Sequence, residues 1–159
     1  MKVQSRASIE INALPETVFD CATAPDNLPK FFKGYGVIPG IMNVEIVGGG
    51  ETREGVIRRV TNLDNSIIDE EIIELKRPTK QTYKLISGFQ APFSYLVRSG
   101  GGDWTLTPSH NSTILVWEFY FELTSILAYP LMAFIMSAYF QKAQQLCLIE
   151  IKKYVENAA

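Results

Sequence analysis

Residues able to do acid–base, nucleophilic or metal chemistry are few in this chain. There is one histidine, and the two cysteines lie far apart. His110 sits in Pro108-Ser109-His110-Asn111-Ser112, a run of turn formers. It reads as a solvated turn residue, because the base of a triad must pack beside its nucleophile. Cys21 and Cys147 have no close Cys or His partner, so neither a zinc site nor a redox pair is expected. Gly48-Gly49-Gly50 and Gly100-Gly101-Gly102 lack the lysine and following helix of a phosphate loop and read as turn or bulge glycines. Asp69, Glu70, Glu71 and Glu74 alternate between the faces of a strand, which makes them mainly solvated; one raised-pKa carboxylate is the alternative. No catalytic set, metal or cofactor is expected from these residues.

Composition narrows the classes further. With 15 basic and 17 acidic side chains the net charge is −2, so the basic footprint of a nucleic-acid binder is missing. Eighteen aromatics (seven Tyr, nine Phe, two Trp) and 47% hydrophobic residues exclude a disordered chain. A length of 159 residues fits one domain over residues 1–159, large enough to fold without a staple. The first residues hold no apolar run, so a reduced, cytoplasmic protein is expected. Ile126 to Phe140 is nearly all apolar, but it is short for a spanning helix and carries Pro130. It reads as core first and membrane-surface contact second.

The elements that must position these residues follow from periodicity. Val3, Ser5, Ala7, Ile9 and Ile11 alternate with polar residues as in a half-buried strand. Pro15-Glu16-Thr17 opens a helix, and a second short helix runs from Pro25 to about Phe32, closed by Gly34 and Gly36. Strand-like runs lie near 41–48, 51–61, 66–76, 80–87, 93–107 and 112–123, joined by turns short enough to force antiparallel pairing. The last segment, about 126–156, is one helix that starts between Ser125 and Tyr129 because of Pro130. Its seam reads Tyr129, Met132, Met136, Tyr139, Ala143, Leu146, Cys147, Ile151 and Tyr154. The expected fold is therefore α+β: a curved seven-stranded antiparallel sheet around a long C-terminal helix, with two short helices after strand 1. Where sheet and helix fail to meet, a cavity opens.

This order resembles the helix-grip fold of the START, birch-pollen-allergen-like and polyketide cyclase/dehydrase-like proteins, grouped as SRPBCC. The resemblance is carried by Ser8 to Ala13 followed by Pro15 to Phe19, by Val44 to Gly50, by Glu71 to Leu75 with Pro78 and Tyr83, and by Thr105 to Pro108 with Thr113 to Trp117 and Phe119. It implies a hydrophobic small molecule or lipid held in the grip cavity, with enzymes among some members. The chain departs from many relatives in the apolar first half of its last helix, which favours a lipid-like ligand, a homodimer contact or membrane docking through Leu131, Phe134, Ile135 and Ala138.

Alternation also assigns the cavity face. Glu118 and Glu122 mark the outside of the last strand, leaving Leu115, Trp117 and Phe119 inside. Tyr83 and Leu85 point inward opposite Lys84, and Trp104 leads back by twos to Gly102, Gly100 and Arg98. An inward Arg98 must meet a carboxylate of the protein or of the ligand; a bulge at Ser99 to Gly102 turns it outward instead. The expected ligand-binding residues are Tyr83, Leu85, Arg98, Trp104, Leu115, Trp117, Phe119, Tyr129, Met132, Met136 and Tyr139, although most such aromatics and methionines serve as ordinary core. Three functions remain: a carrier or sensor of a hydrophobic ligand, an acidic one where Arg98 anchors it; a cyclase- or dehydratase-like enzyme using the same cavity; and a membrane-surface or dimer module.

Overall fold

A computed structural model describes residues 1–158. The chain forms β1 (Lys2–Ile11), α1 (Pro15–Thr23), α2 (Leu28–Phe31), a small hairpin β2 (Gly34–Tyr35) and β3 (Ile38–Pro39), and then six long strands. These are β4 (Ile41–Ile46), β5 (Ile57–Asn62), β6 (Ile67–Lys76), β7 (Lys80–Ser87), β8 (Val97–Ser109) and β9 (Ser112–Leu123). The C-terminal helix follows as α3 (Tyr129–Ile135), a π turn (Met136–Phe140) and α4 (Gln141–Asn157). The seven-stranded sheet has the order β1-β9-β8-β7-β6-β5-β4 and is antiparallel throughout.

Alternation builds the inner face as expected. Val3, Ser5, Ala7 and Ile11 of β1 are buried, as are Thr113, Leu115, Trp117, Phe119, Phe121 and Leu123 of β9. Helix α4 packs on β1, and its buried positions are Ala143, Gln144, Cys147, Leu148, Ile151 and Val155. Gln144 belongs to this seam because both ends of its amide are paired. Ser5 Oγ donates to its Oε1 at 2.7 Å, and its Nε2 donates to the Trp117 carbonyl at 3.3 Å. A buried polar group paired at both ends costs little and fixes the helix against two strands.

The expected seam agrees at Met132, Met136, Ala143, Cys147 and Ile151, all buried, and differs at four positions. Tyr129 and Tyr154 are exposed, and Tyr139 and Leu146 are only half-buried, whereas Phe140 and Leu148 lie inside. Within the π turn the inward position after Met136 is Phe140, four residues on, and Tyr139 falls beside the seam. Two strand boundaries also differ. Residues 51–56 form loop, because Gly48, Gly49, Gly50 and Gly55 all have positive φ. Phe93–Tyr95 is a 3-10 turn before β8 begins at Val97. The hairpin β2–β3 is an addition to the expected strands; Gly36 is required in it, since a Cβ there would stand 2.3 Å from the Tyr139 ring.

Candidate functional site

Sheet and helix part company beside α3 and the π turn, leaving a cavity of about 400 Å³. Its wall is aromatic: Phe32, Tyr83, Phe89, Phe93, Trp117, Phe119, Phe121 and Phe140 all line it. Phe140 stacks on Phe119 at a centroid distance of 4.4 Å, and Phe121 meets Phe119 edge-on at 4.8 Å. Ile135 reaches in from α3, Ile38 and Pro39 from β3, and Leu85 from β7. A larger depression of about 850 Å³ lies over the Gly48–Gly50 turn, but its lining includes no aromatic side chain.

Polar groups enter from β5 and β6. Residues 58, 60 and 62 share the inner face of β5, and all three are buried. Arg58 lies directly across from Glu70 of β6 and donates Nε and Nη2 to the same oxygen, Oε2, at 2.8 and 2.6 Å. The pair is nearly dry, with side-chain exposures of 4% and 13%. Arg58 Nη1 approaches Gln81 Oε1 at 3.5 Å, and the guanidinium carbon lies 5.4 Å from the centre of the Tyr83 ring. Glu70 lines the cavity, and Arg58 stands behind it.

Tyr83 is the hinge between the polar and aromatic walls. Its ring lies against Gly102, where a Cβ would stand 2.5 Å from its hydroxyl, and the Trp117 indole donates to that hydroxyl at 3.1 Å. Gly100 and Gly102 therefore do not open empty space; they admit the Tyr83, Leu85 and Phe121 side chains close to β8. Burial pushes the Tyr83 hydroxyl well above the usual tyrosine value, and the charge of Glu70 adds to the shift. It is a neutral O–H near pH 7, able to donate and accept but not to act as a base. Burial also pushes the Cys147 thiol up, so it is no nucleophile.

Of the eleven expected residues, the structure brings Tyr83, Leu85, Trp117 and Phe119 together on the cavity wall. Trp104, Leu115, Met132 and Met136 are buried core outside it; Trp104 stacks on Trp117 with centroids 4.6 Å apart. Tyr129 is exposed, and Tyr139 sits at the rim against Tyr35 and Phe134. Arg98 is corrected outright: it is exposed, and its side chain donates to the Thr124 carbonyl at 3.4 Å. A register shift between Val97 and Ser99 turns it away, the bulge alternative, while the three glycines stay in regular ladder. The buried arginine is Arg58. Its parity with Val60 is visible in the sequence, but its register opposite Glu70 is not. That register corrects the acidic cluster too: Glu70 is sheltered, and Asp69 pairs with Arg59 at 2.8 Å. His110 has φ 53 at the exposed β8–β9 turn.

Residues 2–156 match the family described as polyketide cyclase / dehydrase and lipid transport, and the chain belongs to that family. The fold is shared with solved structures of low identity. Ara h 8.0201 superposes with a TM-score of 0.70 at 18% identity, with 99% of both chains covered. The ginseng major latex-like protein 151 from Panax ginseng gives 0.72 at 12% identity, with 97% of each chain covered. TTHA0849 from Thermus thermophilus gives 0.70 at 18% identity over 99% of both chains. No curated protein matches the sequence. Among the described residues, no helix is long and apolar enough to cross a membrane.

Proposed function

We propose that this protein binds a hydrophobic small molecule or lipid in the cavity between the sheet and the C-terminal helix, as a carrier or sensor. The observation that carries this is the cavity of about 400 Å³ with eight aromatic side chains on its wall. Apolar concavities with a few polar groups are the usual form of a small-molecule site. Native mass spectrometry of gently purified protein, with Nile red as a neutral apolar probe, tests it. A co-purifying ligand or saturable dye fluorescence is the expected result. A ligand-free mass together with no dye binding overturns the reading.

A second reading concerns how an apolar ligand reaches the cavity. Segments 34–44, 85–97 and 123–141 each line it and hold no Asp, Glu, Lys or Arg, in a chain that is 20% charged. Leu131 and Phe134 are exposed on this rim, Ile135 lines the cavity and Ala138 is half-buried. Three charge-free segments around an apolar opening suit contact with a bilayer surface, where aromatic and aliphatic tips leave water, while the exposed Asp64 lies on the β5–β6 side of the cavity. Co-flotation with phosphatidylcholine vesicles, abolished by Phe134→Glu, is expected. A monomer by light scattering that ignores vesicles rejects membrane and dimer contacts alike.

A further inference from the structure

We infer that the cavity selects its apolar ligand through a hydrogen-bond donor on that ligand, a hydroxyl or an ammonium, and refuses a carboxylate. This rests on the cavity-binding reading and adds a head-group chemistry to it. The β5–β6 wall supplies the reason, polar atom by polar atom. Ser66 Oγ donates its one proton to Asp64 Oδ1 at 2.6 Å, so its approach to Asn62 at 3.0 Å requires Asn62 to present Nδ2. That fixes the amide and leaves Asn62 Oδ1 with no donor among the described residues. Glu70 behaves the same way. Both guanidinium bonds fall on Oε2, and no donor among the described residues reaches Oε1. The Trp117 indole is already committed to Tyr83.

The wall therefore offers acceptors, while the Arg58 and Trp117 donors are engaged within the protein. Gln81 Nε2, the one buried side-chain donor without a partner among the described residues, is not part of the cavity lining. Among the described residues, Asp64 and Glu70 are the only charged ones lining the cavity, with no lysine or arginine. The remaining side-chain donors are the Tyr83 hydroxyl, the second N–H of Asn62 Nδ2, and Gln90 at the exposed rim. A ligand carboxylate would find no free cation on the wall, because the Arg58 charge is already paired with Glu70, and a buried carboxylate left unpaired is costly. A ligand hydroxyl or ammonium can instead donate to Glu70 Oε1 or Asn62 Oδ1, and a hydroxyl can also accept from Tyr83. Hydrogen bonds to a charged partner are worth about tenfold in affinity or more.

The test uses the unmodified full chain near neutral pH, with displacement of Nile red by four naphthalenes of matched body: 2-naphthol, 2-naphthylmethylamine, 2-methoxynaphthalene and 2-naphthoate. Naphthol, the amine or both should bind at least about tenfold more tightly than the methoxy compound, with naphthoate weakest. Which donor leads tells a neutral head group from a cationic one. The double variant Arg58→Met/Glu70→Leu, which leaves no lone buried charge, should lose most of the preference among the four naphthalenes, the binding of each being read by its own fluorescence. The inference is overturned if the methoxy compound matches both donors, if naphthoate binds best, or if the double variant keeps the preference. Failure of Nile red to bind the unmodified chain removes the cavity reading itself, a separate result.

Discussion

Arg58 grips one oxygen of Glu70, a residue of the cavity lining, with two nitrogens, and no donor among the described residues reaches the other oxygen. The two residues are register partners on adjacent strands, so their pairing is built into the sheet and does not depend on a ligand. The guanidinium neutralises a carboxylate that a mostly aromatic wall could not otherwise hold.

Breaking this pair from one side should be costly, and removing both sides should not. Arg58→Ala strands Glu70 in a dry site and should destabilise the fold by about 3–5 kcal/mol. Arg58→Met/Glu70→Leu replaces the pair by apolar groups of similar size and should cost much less. Urea denaturation of both variants and the parent decides it; equal losses in the single and double variants would contradict the account.

Tyr83 should betray its burial on alkaline titration. Its folded value is raised, whereas in the unfolded chain a tyrosine ionises near 10. Above that pH the unfolded state has lost the proton and the folded state keeps it, so Tyr83 lowers stability as pH rises and has no such effect below it. Phenolate absorbance measures this directly. Tyr83→Phe should leave the native titration unchanged near pH 10 while removing one of seven phenolates from the unfolded protein. A drop in the native amplitude would show that Tyr83 is reached by solvent.

Gly102→Ala probes the close approach of β8 to Tyr83. The added methyl would stand 2.5 Å from the hydroxyl and 2.7 Å from the ring carbon that bears it, so the ring must move and the Trp117 hydrogen bond must lengthen. Overpacking of this kind costs about 1–3 kcal/mol. Thermal unfolding should report that loss, and the near-ultraviolet circular dichroism of the tryptophans should change with it. An unchanged spectrum would mean the glycine is not needed for this contact.

The fold is legible in the sequence because its signals are periodic. Alternation in β1, β7 and β9 places Ala7, Tyr83, Leu85, Trp117 and Phe119 on the correct face, and Pro130 bounds the start of the last helix. The cavity is less legible, for two physical reasons. Faces follow from parity, but partners follow from register, so Arg58 can be seen to share a face with Val60 and not to lie across from Glu70. Arg98 obeys parity only up to the Val97–Ser99 bulge, one residue that reverses its direction. The ligand expected from an inward Arg98 is acidic; a wall carrying Asp64 and Glu70 instead argues against one.

The π turn offers the sharpest check on the helix itself. The inward stripe passes from Met136 to Phe140, four residues on, and leaves the neighbouring Tyr139 beside it. Phe140 is buried and stacks on Phe119, while Tyr139 packs at the rim over Gly36 and beside Tyr35. Phe140→Ala should therefore cost about 3–5 kcal/mol, the usual loss for a buried phenylalanine, and should enlarge the cavity. Tyr139→Ala removes a half-buried ring whose neighbours are themselves at the surface and should cost clearly less. Denaturation midpoints of the two variants give the order directly. If Tyr139→Ala proved the more damaging, the aromatic wall would have to be drawn with Tyr139 in place of Phe140.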